Sequence, residues 1–266
     1  MRRKKDLTSK VLGGLSFLIY LFLWAPVIVI IVFSFSSNKY GVQWDGFTLK
    51  WYAALFANEA VKDALMRSLI VAGVTVIVST IIGTMTGYGL YKLHFKGKQF
   101  LRTSIVLPIV VPSVVTGAAL LVFFTRFIQI PLGYPSIIIA HIVFSTPLAV
   151  FVILGRMQRF DWSWEEAAMD LGATRIRTFM RVTGPTLFPA IAASAMLIFP
   201  WSFDDFVITY FVAGIGSTTL PIYVFSQLRF GATPVLNTIG TLFVALTMVA
   251  LIVMHFLQKK SESIST

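Results

Sequence analysis

Six long apolar runs without an acidic or a basic charge dominate the sequence and restrict what the chain can fold into. They extend over residues 11–35, 68–91, 103–125, 134–155, 184–203 and 235–257. An α-helix rises about 1.5 Å per residue and the hydrocarbon core of a bilayer is about 30 Å thick, so about 20 apolar residues span it. The runs therefore predict an all-α integral membrane protein with about six transmembrane helices. A further apolar stretch, 206–214, is a candidate re-entrant segment, which leaves the end of the fifth helix open.

The composition excludes most soluble classes of protein. Only 12% of the residues are charged and 57% are hydrophobic, whereas a soluble domain carries about 25% charged residues. A net charge of +11 would indicate a nucleic-acid partner only with a solvated basic face or a recognition motif, and the sequence offers neither. Because the chain has no cysteine, it has no disulfide framework, no zinc-finger module and no thiol nucleophile.

The basic residues predict the orientation in the membrane. Positions 2–5 are all Arg or Lys, and the run that follows is longer than the roughly 7 to 15 residues of a signal-peptide core, so we expect a retained first helix. With the amino terminus in the cytoplasm, the spans place 16 of the 22 Lys and Arg residues on the inner side. This bias is typical of positive-inside topology and predicts that both termini are cytoplasmic.

Two features inside the runs concern helix packing. Gly83 and Gly87 form a G-x-x-x-G pattern, which lets helix backbones approach closely in lipid. Prolines also lie inside the predicted spans, among them Pro26, Pro108, Pro112 and Pro147. Each proline removes a backbone donor for which neighbouring groups must compensate. We expect packing roles for these residues, with kinks along a pathway as the alternative.

The connection between the fourth and fifth runs is the longest predicted cytoplasmic loop, and it contains a short helix. Ser163 and Glu166 have the spacing of a capping box, and Gly172 provides a C-terminal stop. One helical face is apolar and consists of Trp164, Ala167, Ala168 and Leu171. An isolated helix of about eight residues is marginal, so it needs a partner. The partner is its own bundle, the lipid headgroups, or a groove in another protein, which the small alanines favour.

The residues of this loop resemble a known signature. Glu166-Ala167-Ala168 is followed after three residues by Gly172 and after nine more by the stretch 182–185. This spacing is similar to the EAA motif of permease subunits in ATP-binding cassette (ABC) importers, although Val182 and Gly184 depart from it. The resemblance implies a type I importer permease fold, with 1–266 as one transmembrane domain and 156–184 as its coupling loop. It also implies that Glu166, Ala167, Ala168 and Gly172 dock on a cytoplasmic ATPase.

Further residues narrow the resemblance to spermidine/putrescine permeases, and to the second of the two permease subunits of such a system. They are Tyr40-Gly41, Trp44, Gly46-Phe47-Thr48, Lys50-Trp51-Tyr52, Asp204-Asp205 and Leu220-Pro221-Ile222-Tyr223. The resemblance implies a polyamine substrate and location in the bacterial cytoplasmic (inner) membrane. It implies as partners a second permease subunit in a heterodimer, two copies of the ATPase and an external substrate-binding protein.

One acidic pair is the candidate substrate path. Asp204 and Asp205 are the only acidic residues with long apolar sequence on both sides. An aspartate at mid-bilayer costs about 2.5 to 3.5 kcal/mol, so such residues usually face an aqueous path or a partner. The neighbouring rings offer cation–π contacts to a polyamine: Trp201, Phe203, Phe206 and Tyr210. In the alternative, both aspartates lie at the outer interface. Since adjacent helical positions point about 100° apart, at most one is expected to face a channel.

The sequence does not indicate catalysis. No segment reads G-x-x-x-x-G-K-[ST], so we expect ATP hydrolysis on a separate subunit and do not predict an enzyme or a cofactor. The loop carboxylates Glu165, Glu166 and Asp170 are expected to be solvated. His141 and His255 are expected to pack or to lie at the interface, and with no second ligand at suitable spacing no metal site is predicted.

Three other functions stay open at this point. An ABC permease for another organic cation needs the same groups as a polyamine permease. An ion-coupled secondary transporter commonly shows internal repeats and broken helices, and the sequence has no convincing repeat. A non-transporting membrane scaffold is the third.

Overall fold

The chain is almost entirely helical in the computed structural model, which describes residues 2–39, 43–229, 231 and 233–262, with side chains for 8–39, 43–229, 231 and 233–249. The α-helices are α1 (Arg2–Ser34), α2 (Lys50–Ala57), α3 (Glu59–Lys92), α4 (Lys98–Val110), α5 (Ser113–Val122), α6 (Tyr134–Met157), α7 (Ser163–Asp170), α8 (Arg175–Thr178), α9 (Gly184–Phe203), α10 (Val207–Val212), α11 (Leu220–Leu228) and α12 (Pro234–Glu262). Two π-helical turns, Phe123–Ile128 and Phe179–Thr183, follow α5 and α8.

The predicted spans correspond to helices. Within the described residues, four helical segments are long and apolar enough to cross a membrane, namely Thr8–Ser34, Glu59–Lys92, Tyr134–Met157 and Arg175–Phe203. The helical segment that contains the fifth predicted run therefore ends at Phe203. It begins at Arg175, inside the predicted loop and earlier than expected. The sixth run lies in α12. The chain is thus a multi-pass membrane protein.

The third predicted run, 103–125, is wrong as a single helix. It is divided between α4 and α5, which meet at a bend of 109°. Val111 between them is extended, with φ −72° and ψ 131°, because the ring of a following proline disfavours helical backbone at the preceding residue. Pro112 also lacks the N–H that a continuous helix would need. The third run is therefore a broken span or a re-entrant pair.

Contacts divide the chain into two units, and the first comprises Met1–Lys62 and Val224–Thr266. In it α12 packs against α1 and α2. The segment after α1 folds back on its end: Tyr52 shares a hydrogen bond of 2.8 Å with Ser34, and the indole N–H of Trp51 donates to the Ser36 carbonyl at 2.7 Å. Tyr40 and Gly41 of the resemblance lie outside the described residues, as does the side chain of His255.

The second unit, Asp63–Tyr223, is organised around α6. α6 packs against α4, α9 and α10, and α10 also packs against α5. A Cβ on Gly83 would overlap Ala149, and one on Gly87 would come within 2.9 Å of Ile153. The G-x-x-x-G pattern therefore makes a close contact between α3 and α6, as predicted. The 206–214 stretch forms the short helix α10, whose Ile208, Thr209 and Val212 are buried.

Candidate functional site

The loop helix α7 begins at the predicted residue but with a different cap. Ser163 and Glu166 do not form the expected capping box. Instead Asp161 Oδ1 accepts hydrogen bonds from the Ser163 backbone N–H at 3.1 Å and from its hydroxyl at 2.7 Å. These side-chain and backbone hydrogen bonds lower the pKa of Asp161. Because an aspartate preceding the helix accepts from its first residues, it replaces the box that the spacing indicated.

The end of α7 is the one that the sequence predicts. Gly172 has φ +82°, a left-handed conformation that glycine adopts without strain. Its N–H donates to Met169 at 2.9 Å, and the N–H of Ala173 donates to Ala168 at 3.1 Å. This pair of bonds is a Schellman motif, which satisfies the last carbonyls of the helix. The backbone of α7 is thus closed at its end by its own loop.

The apolar face of α7 faces away from its own chain. Leu171 is 90% exposed and Trp164 is 54% exposed. Ala167 is exposed and Ala168 is half-buried. No described element covers Leu171, so packing of the opposite side of α7 on its own bundle leaves this apolar face largely uncovered. Glu166, the acidic residue of the motif, is exposed beside it.

Glu165 departs from the expectation that the loop carboxylates are solvated. It is 2% exposed and is the buried residue of α7. It forms an ion pair with Lys92 and accepts a hydrogen bond from the Thr183 hydroxyl. Tyr88 OH is a further donor at 3.5 Å. A buried carboxylate needs such partners because desolvation without them is costly.

Aromatic rings surround the cation of this pair. Lys92 Nζ lies 4.8 Å from the ring centroid of Trp162 and 5.9 Å from that of Tyr88. Tyr91 stacks on Trp162 at 5.2 Å. A cavity of about 480 Å³ opens next to the pair, between Lys92, Arg175 and Met180. The motif spacing could not reveal this cluster, because Tyr88 and Lys92 belong to α3, far upstream of the loop.

The two aspartates of the candidate path differ in their surroundings. Asp205 Oδ2 accepts hydrogen bonds from Thr209, from its N–H at 2.8 Å and from its hydroxyl at 2.9 Å, and lies 3.5 Å from His141 Nε2. Burial raises the pKa of Asp205, but hydrogen bonds from His141 and Thr209 outweigh it and lower the value. Asp204 is exposed, and no basic side chain of the described residues pairs with it. Partial desolvation and then the charge of Asp205 raise the pKa of Asp204.

His141 connects three elements and is buried, as expected for a packing residue. Its Nδ1 lies 2.7 Å from the Ser202 hydroxyl and its Nε2 lies 2.8 Å from the Thr209 hydroxyl. Both ring nitrogens therefore have partners, and the ring ties α6 to α9 and α10. In the part of the chain that the structure describes, no three His, Asp or Glu side chains gather in a way that could hold a metal ion.

The aromatic residues of the candidate path are partly brought together. Phe206 and Tyr210 lie 5.4 Å apart between ring centroids. Tyr210 and Trp201 are about half exposed. An exposed carboxylate near exposed rings can bind an organic ammonium ion through charge and cation–π contacts. Asp204, and not Asp205, has the exposure that such a contact needs.

Comparisons with known proteins agree with this architecture. The family model described as "Binding-protein-dependent transport system inner membrane component" matches residues 79–263. The spermidine/putrescine transport system permease protein PotC of Escherichia coli (strain K12) is 35% identical over 240 residues, which cover 90% of each chain. The putrescine transport system permease protein PotI of the same organism is 35% identical over 250 residues, 91% of this chain and 89% of its own.

A solved structure shares the fold. A chain in the crystal structure of a bacterial ABC transporter involved in the import of the acidic polysaccharide alginate superposes with a TM-score of 0.73. The superposition covers 97% of both chains at 17% sequence identity. At this identity the likeness concerns the arrangement of the helices.

Proposed function

The chain belongs to the family of binding-protein-dependent transport system inner membrane components, and from this membership we propose that it forms half of the translocation pathway of an ATP-driven polyamine importer. It is a permease subunit of an ABC transporter. Its proposed partners are a second permease chain, two copies of a cytoplasmic ATPase and an external binding protein. ATP hydrolysis belongs to the ATPase. Both termini of this chain lie in the cytoplasm.

The exposed apolar face of α7 is the observation that carries the coupling part of the proposal. The helix is closed at both ends, yet Trp164 and Leu171 are exposed. Exposed apolar side chains that are grouped on one face mark a site for a protein or a membrane surface, and the small alanines favour a protein groove. Ala167 and Ala168 let a partner approach the helix backbone, and Glu166 and Gly172 complete the docking residues. In the proposed cycle the ATPase dimer closes on ATP, α7 moves with it, and the pathway opens to the opposite side.

The polyamine part of the proposal rests on the relatives and on the acidic pair. PotC and PotI are named as spermidine/putrescine and putrescine permeases. A polyamine carries several ammonium groups, and Asp204 offers an exposed carboxylate for one of them. Trp201, Phe206 and Tyr210 would each add a cation–π contact of about 0.5 to 2 kcal/mol. One carboxylate oxygen of Asp205 is engaged by Thr209 and His141 inside the fold, so its role on this path is to hold the backbone that presents Asp204.

Crosslinking tests the coupling helix. Because the chain has no native cysteine, the Ala168→Cys variant carries a single reactive thiol. In membranes that contain the complete importer, we expect a thiol-specific crosslinker to join this residue to the ATPase subunit. Lys39→Cys, which is predicted to lie on the outer side, is the matched control and gives no such product. Products that contain only lipid or this chain would contradict the proposal.

Transport by the complete importer tests the substrate. Proteoliposomes with ATP on the ATPase side should accumulate labelled putrescine or spermidine, and unrelated cations should not compete. Uptake that needs a sodium or proton gradient but no ATP would instead indicate a secondary transporter. Competition by another organic cation at lower concentration than either polyamine would reassign the substrate and leave the ABC permease function in place.

A further inference from the structure

The coupling helix α7 contacts a helix to which it is not joined along the chain. Sequence continuity connects α7 to α6 on one side and, through α8, to α9 on the other. α3 lies far upstream, and Tyr88 on it is separated from Glu165 by 77 positions. We propose that the ion pair between the buried Glu165 and the partly exposed Lys92 fixes α7 to the cytoplasmic end of α3, so that both move together when the ATPase closes. This inference rests on the proposed role of α7 as the coupling helix.

The burial of Glu165 makes this contact hard to break. When a buried ion pair loses one partner, the other charge is left without compensation, which costs far more than losing an exposed pair. The pair of Glu59 and Lys62 at the other end of α3 shows the contrast, because both of its side chains are more than half exposed. An exposed pair of this kind contributes little. Separating α7 from α3 would remove Lys92 and Tyr88 from the buried carboxylate of Glu165 and leave it the Thr183 hydroxyl, so a joint displacement is favoured.

Further contacts beside the ion pair hold the loop and α3 together. Trp162, just before α7, lies with its ring over Lys92 Nζ and stacks on Tyr91 of α3. Thr183 adds a hydrogen bond to Glu165 from the π-helical turn that precedes α9. The loop therefore contacts the end of α3 through the ion pair of Glu165 with Lys92, the ring stacking of Trp162 on Tyr91 and the hydrogen bond from Tyr88 to Glu165. A single flexible side chain would not transmit a displacement, but several contacts of different kinds at one place restrain both elements.

Motion of α3 passes on to α6. Gly83 and Gly87 lie so close to Ala149 and Ile153 that not even a Cβ fits without displacement. Such close backbone contact leaves little room for the two helices to slide past each other. Displacement of α7 is therefore delivered to α3 and α6 as one body. Glu165 is in this sense a positioning residue, since it acts on the transport path through α3.

The experiment compares transport with ATP consumption in the complete importer. The Glu165→Gln variant is reconstituted with the second permease chain, the ATPase and the binding protein, and labelled putrescine and spermidine are the probes. We expect the amount of bound ATPase to be unchanged, and the polyamine taken up per ATP hydrolysed to fall between about twofold and thirtyfold. The control is Asp170→Asn, which removes an exposed carboxylate from the same helix and should leave this ratio unchanged. An unchanged ratio for Glu165→Gln would overturn the inference.

A distance measurement covers the case in which the variant does not assemble. Spin labels at Leu93→Cys and Asp170→Cys, both exposed, report the separation of α3 and α7 in an otherwise unaltered chain. We expect the same distance in the nucleotide-free and the ATP-trapped importer. A change of several ångströms between the two states would show that α7 moves independently of α3.

The two proposals fail in different ways. If the wild-type importer consumes ATP but carries neither polyamine, the substrate proposal is wrong, whereas the label distance still tests the contact of α7 with α3. If it carries polyamines and the label distance changes, only the inference about Glu165 is wrong.

Discussion

We propose different tasks for the two neighbouring carboxylates Asp204 and Asp205, because the backbone turns between them and gives them different surroundings. Asp204 ends α9 with φ −93° and ψ 0°, and Asp205 then points into the fold, where Thr209 and His141 satisfy its oxygen. Burying a carboxylate stabilises a fold only when such partners are present. The exposed neighbour is left available for an ammonium group. The sequence predicted that at most one of the pair faces a channel, and the structure distinguishes them by burial.

Asparagine substitutions should separate these two tasks. Asp204→Asn removes a charge-assisted contact, which is worth about 1.5 to 3 kcal/mol, so we expect the polyamine concentration for half-maximal uptake to rise at least about tenfold. The amount of assembled importer should stay the same. Asp205→Asn should instead reduce the assembled amount and the Tm of the detergent-solubilised protein. Normal uptake by the Asp204→Asn variant would remove this residue from the path.

The burial of Glu165 could not be predicted from the residue types in its own helix. Its neighbours Trp164, Glu166 and Ala167 are all exposed or half-exposed, and a short helix rich in acidic residues ordinarily has a solvated face. Burial of Glu165 depends on Lys92, Tyr88 and Thr183, which reach it only after α3 and α9 have packed. A contact between distant segments leaves no periodic pattern in the sequence of either one.

At the level of elements, the sequence predicts a helix end correctly where neighbouring residues alone determine the backbone conformation. Gly172 was predicted to stop α7 because only a left-handed residue closes a helix in this way, and the structure confirms the stop. The cap at the other end was predicted wrongly, since Asp161, two residues before Ser163, competes for the same donors. Both the capping box and the aspartate cap are common, and their relative stability depends on where the chain enters the helix.

Replacing Gly172 tests whether the closed end of α7 matters for docking. A Cβ at this position meets no atom within 4 Å, so Gly172→Ala acts only through its positive φ, at a cost of about 1 to 2 kcal/mol. We expect weaker binding of the ATPase in a pull-down titration, by about fivefold to thirtyfold. Gly97→Ala is the matched control, since Gly97 also has a positive φ and open space but precedes α4. Equal binding by both variants would contradict the role of this end.

The contact of α3 with α6 makes a second prediction about elements. Gly83→Ala places a methyl group against Ala149 and against backbone atoms at 3.2 Å, and overpacking of this kind costs about 1 to 3 kcal/mol. Gly73→Ala on the same helix meets open space and serves as control. We expect a lower Tm for the purified Gly83→Ala protein than for Gly73→Ala. If the two values coincide, α3 and α6 are not closely packed at this point in the membrane.

For the whole molecule, the lipid environment determines which features of the fold can be predicted from the sequence. Lipid satisfies no backbone group, so every span must be helical and its length is fixed by the bilayer. The apolar runs therefore predicted the spans. The break between α4 and α5 was not predicted, because Pro112 is compatible with a kinked helix as well as with two helices. The two helices pack on different partners, α4 on α6 and α5 on α10, and these contacts between distant segments leave no pattern in the sequence of the run.

Cysteine labelling tests the predicted orientation of the chain. Lys39→Cys and Lys96→Cys each provide one exposed thiol in a chain without cysteine. The positive-inside bias predicts that Lys39 lies outside and Lys96 lies in the cytoplasm. In intact cells with a permeable outer envelope, a membrane-impermeant maleimide should label only the Lys39→Cys protein, and lysis should make the Lys96→Cys protein reactive. The reverse pattern would invert the topology.

The bare face of α7 also bears on how the cell keeps subunit numbers in balance. A copy synthesised in excess of the ATPase leaves Leu171 and Trp164 in the cytosol, and apolar groups of this kind promote aggregation. Proteases and chaperones also recognise exposed apolar groups of this kind on damaged proteins. We expect surplus copies to be degraded sooner than complete importers, so that the surface we propose for docking would also cause the removal of unassembled subunits.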